Sequence, residues 1–183
     1  MSVEFYKKSV DEYKKLINRS NIAIIESTQQ MIKLRNNSCC ANDMISYVPY
    51  KELNTQCLTG RRQTGRTTTI KQVFDPKADY YVAYSMGGAR ELIKPTYNVC
   101  TGEVIYEMSK ESVDIILKRN CLKSMRSDLN WVSSIDPSKH CTIYLDVCSN
   151  EIYESVEYVR KVQERIEKTF DEKQRAKMLI IYT

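Results

Sequence analysis

"CLTGRRQTGRTTTI", residues 57–70, is the stretch of this 183-residue chain that decides which fold is predicted. It continues the short strand candidate "TQCLTG" (55–60), turns at Gly60, and passes into "GRTTTIKQVF" (65–74), a helix candidate that Pro76 ends. A strand, a turn and a helix in this order begin a parallel α/β unit. The segment therefore predicts a parallel sheet.

The chain after this segment carries further strand patterns. They are rich in β-branched and aromatic residues, as half-buried or buried strands are. Four strands are predicted at "ADYYVAYS" (78–85), "EVIYEM" (103–108), "HCTIYLDV" (140–147) and "KMLIIYT" (177–183). With the strand at 55–60, this makes five.

Helical patterns lie between the strands and before them. "GGARELI" (87–93) and "SKESVDIILKRN" (109–120) predict helices, the second capped by Ser109 or Ser112, and apolar residues recur every three or four positions over 151–170. Residues 3–34 predict one long helix, or two that break near "NRSN" (18–21), and "NNSCCAND" (36–43) predicts a loop.

Strands and helices that alternate in this way predict an α/β fold. We expect one domain over residues 1–183, with an N-terminal helical segment in 1–40 followed by a three-layer sandwich around a mostly parallel sheet of about five strands. Ligands of such sheets bind at the carboxyl ends of the strands. Gly60 lies at that end of its predicted strand.

Composition sets bounds on location and partners. The net charge is +5, which allows polyanionic partners without demanding them, and the seven cysteines form an odd set without C-x-x-C spacing. Reduced thiols of a cytoplasmic protein explain these cysteines best. No apolar run approaches the ~20 residues that a membrane span needs, so we expect neither a membrane segment nor export.

The glycines of the opening stretch match a phosphate-binding loop, G-x-x-x-x-G-K-[ST], from Gly60 to Thr67, except that Arg66 replaces the lysine. In such a loop backbone N–H groups and a helix N-terminus hold phosphates, and the hydroxyl of Thr67 would ligate Mg²⁺. The predicted phosphate-contacting residues are consecutive. They are Gly60, Arg61, Arg62, Gln63, Thr64, Gly65, Arg66, Thr67 and Thr68.

The arginine changes what this loop is expected to do. A lysine ammonium fits inside the wrapped loop as a point charge, whereas the guanidinium of Arg66 keeps the charge and is wider. Since transition-state stabilisation depends on placement to within about an ångström, binding is expected to survive better than fast hydrolysis. A basic turn that touches nucleic-acid phosphates through Arg61 and Arg62 is the simpler alternative.

Asp146 closes the apolar strand "CTIYLDVCS" (141–149), where a carboxylate would help to hold magnesium. A cap that only ends the strand is the alternative interpretation. His140, just before this strand, is a further base candidate without a nearby nucleophile pattern.

These segments together resemble the helicase-like ATPases, in particular the large terminase subunits with which tailed viruses pump DNA into capsids. "RRQTGRTTT" (61–69) is similar to the R-Q-x-G-K-T loop of that family, "YVAYSMGGARELI" (81–93) to its next strand and helix, and "IYLDVCS" (143–149) to its carboxylate strand. "KMLIIYT", ending in Thr183, is similar to a later strand whose terminal hydroxyl couples hydrolysis to movement. The resemblance implies ATP and Mg²⁺, with Arg66 and Thr67 on phosphate and metal and Asp146 on the metal through water.

The chain departs from the family at one further position. Members place a glutamate after the strand aspartate to activate the attacking water, and Val147 stands there instead. Glu151 is the nearest acid downstream, and Glu107 and Asp171 are further candidates for the missing base. The altered lysine and the absent glutamate both favour weak catalysis.

Three functions remain open at this point. The first is a weak or accessory ATPase, encoded by a virus, that acts with DNA or a DNA-processing complex and self-associates so that Arg61, Arg62 or Arg90 reaches a neighbour's site. The second is an inactive descendant that serves as a protein- or nucleic-acid-binding module. The third, a small-molecule kinase, lacks an arginine-rich lid in the sequence.

Overall fold

The computed structural model describes residues 3–37, 54–58, 66–98, 101–146 and 152–182. The helices are α1 (Val3–Asn37), α2 (Arg66–Val73), α3 (Met86–Arg90), α4 (Lys110–Arg119), α5 (Ile152–Thr169) and α6 (Glu172–Arg175), with 3₁₀ helices at Glu91–Ile93 and Leu129–Ser134. The strands are β1 (Thr55–Cys57), β2 (Tyr80–Ala83), β3 (Thr96–Tyr97), β4 (Val104–Tyr106), β5 (Leu122–Ser124), β6 (Cys141–Asp146) and β7 (Met178–Tyr182).

Five strands form one sheet in the order β1-β7-β6-β2-β5, and every neighbouring pair is parallel. The two longest strands, β6 and β7, lie side by side near its centre, and their residues Cys141–Leu145 and Met178–Ile181, all apolar except Thr142, are buried. This burial on both faces explains why their sequences are continuous apolar runs. The α/β fold with a five-stranded parallel sheet is confirmed, and the three-layer arrangement stays a prediction.

"EVIYEM" forms a strand but does not join this sheet. Its central residues, β4, pair antiparallel with β3 in a separate two-stranded sheet. Val104 and Ile105 are more than half exposed there, with 53% and 56% of their surface accessible. Gly102, with a φ of 72°, takes the left-handed backbone of the turn between the two strands.

β5 fills the fifth place in the parallel sheet. It has three residues, too few to show a strand period, and it was missed for that reason. It follows α4 directly after Asn120, which ends the helix in the left-handed conformation with a φ of 52°. β2 and β5 then pair in register, with Tyr81 opposite Leu122 and Ala83 opposite Ser124.

The N-terminal segment is one continuous helix, so the predicted break at 18–21 is absent from α1. Its inner face carries Asn21, Ile25, Thr28 and Ile32, all buried. Asn18 accepts a hydrogen bond from the Thr69 hydroxyl on α2, which ties the two helices together. The predicted loop at 36–43 lies almost entirely outside the described residues.

Side-chain caps set the starts of two helices. Ser109 caps α4 by accepting a hydrogen bond from the Ser112 N–H at 3.2 Å, which decides between the two predicted capping serines. Ser85 caps α3 in the same way, from the Gly88 N–H at 3.1 Å. Among the described helices none is long and apolar enough to span a bilayer.

Candidate nucleotide and metal site

The candidate site lies at the carboxyl ends of the parallel strands. β1 ends at Cys57, β6 ends at Asp146, and β7 lies between them in the sheet. The helix that follows the opening stretch, α2, begins at Arg66. The predicted loop residues 60–65 lie outside the described residues, so the site is defined by Arg66, Thr67, Thr68 and Asp146.

Two of these residues meet directly. The Thr67 hydroxyl, in the first turn of α2, donates a hydrogen bond to Oδ2 of Asp146 at 3.0 Å. They are 79 positions apart in sequence, so only the fold brings them together. The structure therefore joins the two residues that sequence reasoning assigned to one metal.

A third residue, Tyr81, completes the cluster and was not predicted. Its hydroxyl donates to the same oxygen of Asp146 at 2.5 Å. Tyr81 lies in β2 opposite Tyr144 of β6, and Asp146 is two residues further along β6. Because side chains alternate along a strand, Tyr81, Tyr144 and Asp146 share one face of the sheet. Register between β2 and β6 thus creates this contact, and no local pattern signals it.

Packing positions α2 next to Asp146. Ile70 in α2 and Phe74, the residue after it, are buried, and the Phe74 ring lies 5.9 Å from the ring of Tyr144, centroid to centroid. The Tyr106 hydroxyl donates to the Lys71 carbonyl at 2.8 Å, which connects α2 to the small antiparallel sheet. These contacts fix the first turn of the helix, with Thr67, over the end of β6.

Lys71 reinforces the same helix from its buried side. Its side chain is 5% exposed, and Nζ donates to the Lys94 carbonyl at 2.6 Å and to the Thr96 hydroxyl at 2.8 Å. Burial lowers the pKa of Lys71, and the Glu91 carboxylate opposes that shift. The lysine thus links α2 to the segment that enters β3 and is engaged with protein groups rather than directed to a ligand.

The start of α2 has the electrostatics of an anion site. The first N–H groups of a helix lack partners inside the helix, and the helix dipole places partial positive charge there. Arg66 opens the helix, no acidic residue lies in its first turn, and Arg66, Thr67 and Thr68 are all half-buried. A phosphate group fits this combination of donors and charge.

The side-chain donors at the site can be compared with the ligands that Mg²⁺ prefers, and Mg²⁺ binding itself stays a prediction. No group of three or more histidine, cysteine or acidic side chains that could hold a metal occurs within the described residues. Mg²⁺ does not require one, because it is bound by one or two carboxylates together with phosphates and water. Its octahedral ligands, at 2.0–2.1 Å from the metal, lie about 2.9 Å from each other. The 3.0 Å between Thr67 Oγ1 and Asp146 Oδ2 matches that spacing.

The structure places the candidates for the missing general base at different positions. Val147 and Glu151 lie outside the described residues. Asp171, a further candidate for the base, caps α6 just before β7, at the amino edge of the parallel sheet, whereas Asp146 lies at the carboxyl edge. Glu107 is exposed beyond β4 in the separate sheet.

His140 also belongs to the amino edge. It precedes β6, whereas Asp146 ends that strand, and six residues of strand span about 20 Å. It lines a cavity of about 260 Å³ together with Lys33 and Lys177, and burial and these two positive charges lower its pKa. This position excludes His140 as a base for chemistry at Asp146.

Asp79 is the most strongly perturbed acid near this amino edge. It is 3% exposed, and its oxygens accept the Thr142 N–H at 2.8 Å and the Asp75 N–H at 2.9 Å. Burial raises its pKa to about 7. Because its two oxygens accept backbone N–H groups, one in the turn before β2 and one at the start of β6, the role of Asp79 is structural.

Two arginines occur in the segments that follow the carboxyl ends of β2 and β5. Arg90 is exposed at the end of α3, which follows β2. Arg126 follows β5, and its guanidinium carbon lies 5.0 Å from the centre of the Tyr84 ring. Sequence reasoning selected Arg90 and missed Arg126, because the strand that precedes Arg126 was not predicted.

No protein-family model matches the chain, and comparisons with curated proteins and with solved structures found no match.

Proposed function

We propose that this protein binds ATP with Mg²⁺ at the carboxyl edge of its parallel sheet and acts as a weak or accessory ATPase. The observation that carries the proposal is the 3.0 Å hydrogen bond between Thr67, in the first turn of the helix after the glycine-rich stretch, and Asp146, at the end of a buried strand. A hydroxyl at a helix N-terminus and a strand carboxylate are the protein groups that a magnesium-bound triphosphate requires.

Each residue has a separate task in this proposal. Arg66 and the first N–H groups of α2 bind phosphate oxygens, while Thr67 and Asp146 hold the metal, directly or through a bound water. Tyr81 keeps the Asp146 carboxylate oriented through its 2.5 Å hydrogen bond. Bound Mg²⁺ supplies neutralisation of the phosphate charge.

Slow turnover follows from two features of the sequence. Arg66 replaces the compact lysine, and Val147 occupies the position where a glutamate would activate water. A general base contributes typically 10²- to 10⁴-fold to rate, so its loss leaves binding intact and reduces catalysis. The alternative function, a nucleotide-binding module without turnover, is favoured by the same two residues.

Titration calorimetry with a non-hydrolysable ATP analogue, with and without Mg²⁺, tests the proposal. We expect Mg²⁺-dependent binding that weakens by at least about tenfold in Thr67→Ala and in Asp146→Asn. Asp114→Asn, an exposed carboxylate on α4, is the matched control and should bind like the wild type. Absence of nucleotide binding in the wild-type protein overturns the proposal.

Steady-state phosphate release then separates the two functions. Turnover above that of Arg66→Ala supports the weak ATPase. Binding without such turnover rejects the ATPase and supports the nucleotide-binding module.

The proposal extends to DNA or a DNA-processing complex as partner and to the cytoplasm as location. The net charge of +5 and the exposed Arg90, on the helix that follows β2, support a polyanionic partner. The three described cysteines, Cys57, Cys121 and Cys141, are free thiols, which suits a reducing compartment. An electrophoretic mobility shift that Arg90→Glu weakens would support DNA as partner, and equal mobility with and without protein would contradict it.

A further inference from the structure

The outer face of α1 carries an apolar stripe of exposed side chains. Tyr13, Leu16, Met31 and Leu34 are 60%, 64%, 62% and 62% exposed. They lie on the side of the helix turned away from the buried face of Asn21, Ile25, Thr28 and Ile32. Single exposed leucines are ordinary, but four large apolar side chains along one helix face mark an interaction surface.

Small residues lie between the two large pairs. Residues 13, 16, 20, 23, 27, 31 and 34 advance by three or four positions, so they form one stripe about 32 Å long. Its middle is Ser20, Ala23 and Ser27, all exposed. Large residues at both ends and small residues in the middle allow a second helix to approach closely at the centre.

Apart from Ala23, the stripe is symmetric about the midpoint between residues 23 and 24. Counting outward from that point, Ser20 mirrors Ser27, Leu16 mirrors Met31 and Tyr13 mirrors Leu34. An isologous contact between two identical chains requires a surface that is complementary to itself. An antiparallel copy of α1 supplies that complement, because it sets large residues beside large residues and small beside small.

Charges along one flank of the stripe favour the same partner. Glu12, Arg19, Glu26 and Lys33 are spaced by seven residues and are all exposed. In an antiparallel pair this flank faces its own copy, so Glu12 lies beside Lys33 of the second copy and Arg19 beside Glu26 of the second copy. In a parallel pair the flank would instead face Ile17, Ile24 and Met31, without these opposite-charge pairs.

We infer that the protein forms an isologous dimer in which the α1 helices of two copies pack antiparallel, centred between residues 23 and 24. The buried face of α1 stays on its own domain, so the two domains lie side by side along the helix pair. This dimer rests on α1 alone and is independent of nucleotide binding.

Sedimentation equilibrium of the full chain tests dimer formation. We expect a dimer in the wild type and at least tenfold weaker association in Leu16→Glu, with an unchanged circular dichroism spectrum because Leu16 is exposed. A wild-type protein that stays monomeric up to 100-fold above assay concentrations overturns the inference, as does a Leu16→Glu variant that dimerises normally.

Charge reversal tests which residues face each other. Arg19→Glu and Glu26→Arg each place like charges together and should weaken the dimer, while the double variant restores opposite charges and should return association close to the wild-type level. Failure of the double variant to recover association overturns the antiparallel arrangement.

Cysteine cross-linking gives an independent measure of direction. In the antiparallel pair the two Ala23 positions lie beside the symmetry axis, with Cα atoms about 4–6 Å apart, so Ala23→Cys should give an oxidised covalent dimer beyond the wild-type background. The two Ser20 positions are offset by about 10 Å along the axis, so Ser20→Cys should not. Cross-linking of Ser20→Cys as efficient as that of Ala23→Cys indicates a parallel pair and overturns the inference.

Discussion

Removing the Tyr81 hydroxyl isolates the contact that orients Asp146. The hydroxyl donates at 2.5 Å to Oδ2 of Asp146, and the Tyr81 side chain is 1% exposed. Tyr81→Phe keeps the ring, so it opens no cavity, and it removes the hydrogen bond to the Asp146 carboxylate. Such bonds contribute about 1.5–3 kcal/mol, and one kcal/mol shifts the melting temperature of a domain of this size by roughly 2–4 °C. The expected decrease in melting temperature is therefore about 3–12 °C.

Thermal unfolding followed by circular dichroism measures this change against a matched control. Tyr84→Phe also removes a phenol hydroxyl, but Tyr84 is 40% exposed and only accepts a 3.4 Å hydrogen bond from Arg126. It should shift stability by no more than about 0.5 kcal/mol. If Tyr81→Phe unfolds at the same temperature as Tyr84→Phe, the Tyr81 to Asp146 hydrogen bond does not stabilise the protein.

Repeating Tyr81→Phe in an Asp146→Asn background tests whether Asp146 is the group through which the Tyr81 hydroxyl stabilises the fold. A neutral amide oxygen accepts a weaker hydrogen bond, so the destabilisation should fall to about 1 kcal/mol or less. A loss of stability as large as in the wild-type background would mean that the hydroxyl stabilises the fold through another group.

Three further predictions concern the framework around the site. Because burial raises the pKa of Asp79 to about 7, the folded protein holds this proton more tightly than the unfolded chain. Stability should therefore fall by roughly 2 kcal/mol between pH 5 and 7 and then level off; urea unfolding should show this slope in the wild type and not in Asp79→Asn. Lys71→Met leaves the Lys94 carbonyl without its 2.6 Å donor and should cost about 1–3 kcal/mol by the same assay, whereas an unchanged midpoint would contradict the role of Lys71. Ser109→Ala removes the cap of α4 and should cost about 1 kcal/mol, and a smaller loss than in Ser112→Ala would assign the cap to the wrong serine.

The parallel sheet was predictable because its central strands carry strong local signals. β6 and β7 are continuous apolar runs, and only burial on both faces explains such runs. β5 was not predictable, since three residues show no period and its place at the sheet edge depends on α4 ending at Asn120. "EVIYEM" had the composition of a strand, but composition does not specify the partner, which is β3 rather than the parallel sheet.

The candidate site was predictable in its parts but not in its geometry. Motif spacing selected Thr67 and Asp146, and the structure brings their side chains to 3.0 Å. Tyr81 was missed because its contact depends on the register between β2 and β6, a long-range property that no short segment encodes. The place of Asp171 was not predictable for a related reason, because the crossover through α5 carries the chain to the opposite edge of the sheet.

The central claim is that the first turn of α2 and the end of β6 together form a nucleotide site. A crystal structure of the protein with a non-hydrolysable ATP analogue and Mg²⁺ tests it most directly. We expect the phosphate oxygens of the analogue to contact Arg66 and the N-terminus of α2, and the metal to lie between Thr67 and Asp146. Nucleotide bound elsewhere, with the Thr67 to Asp146 hydrogen bond intact and no metal beside it, would contradict a nucleotide site at this position.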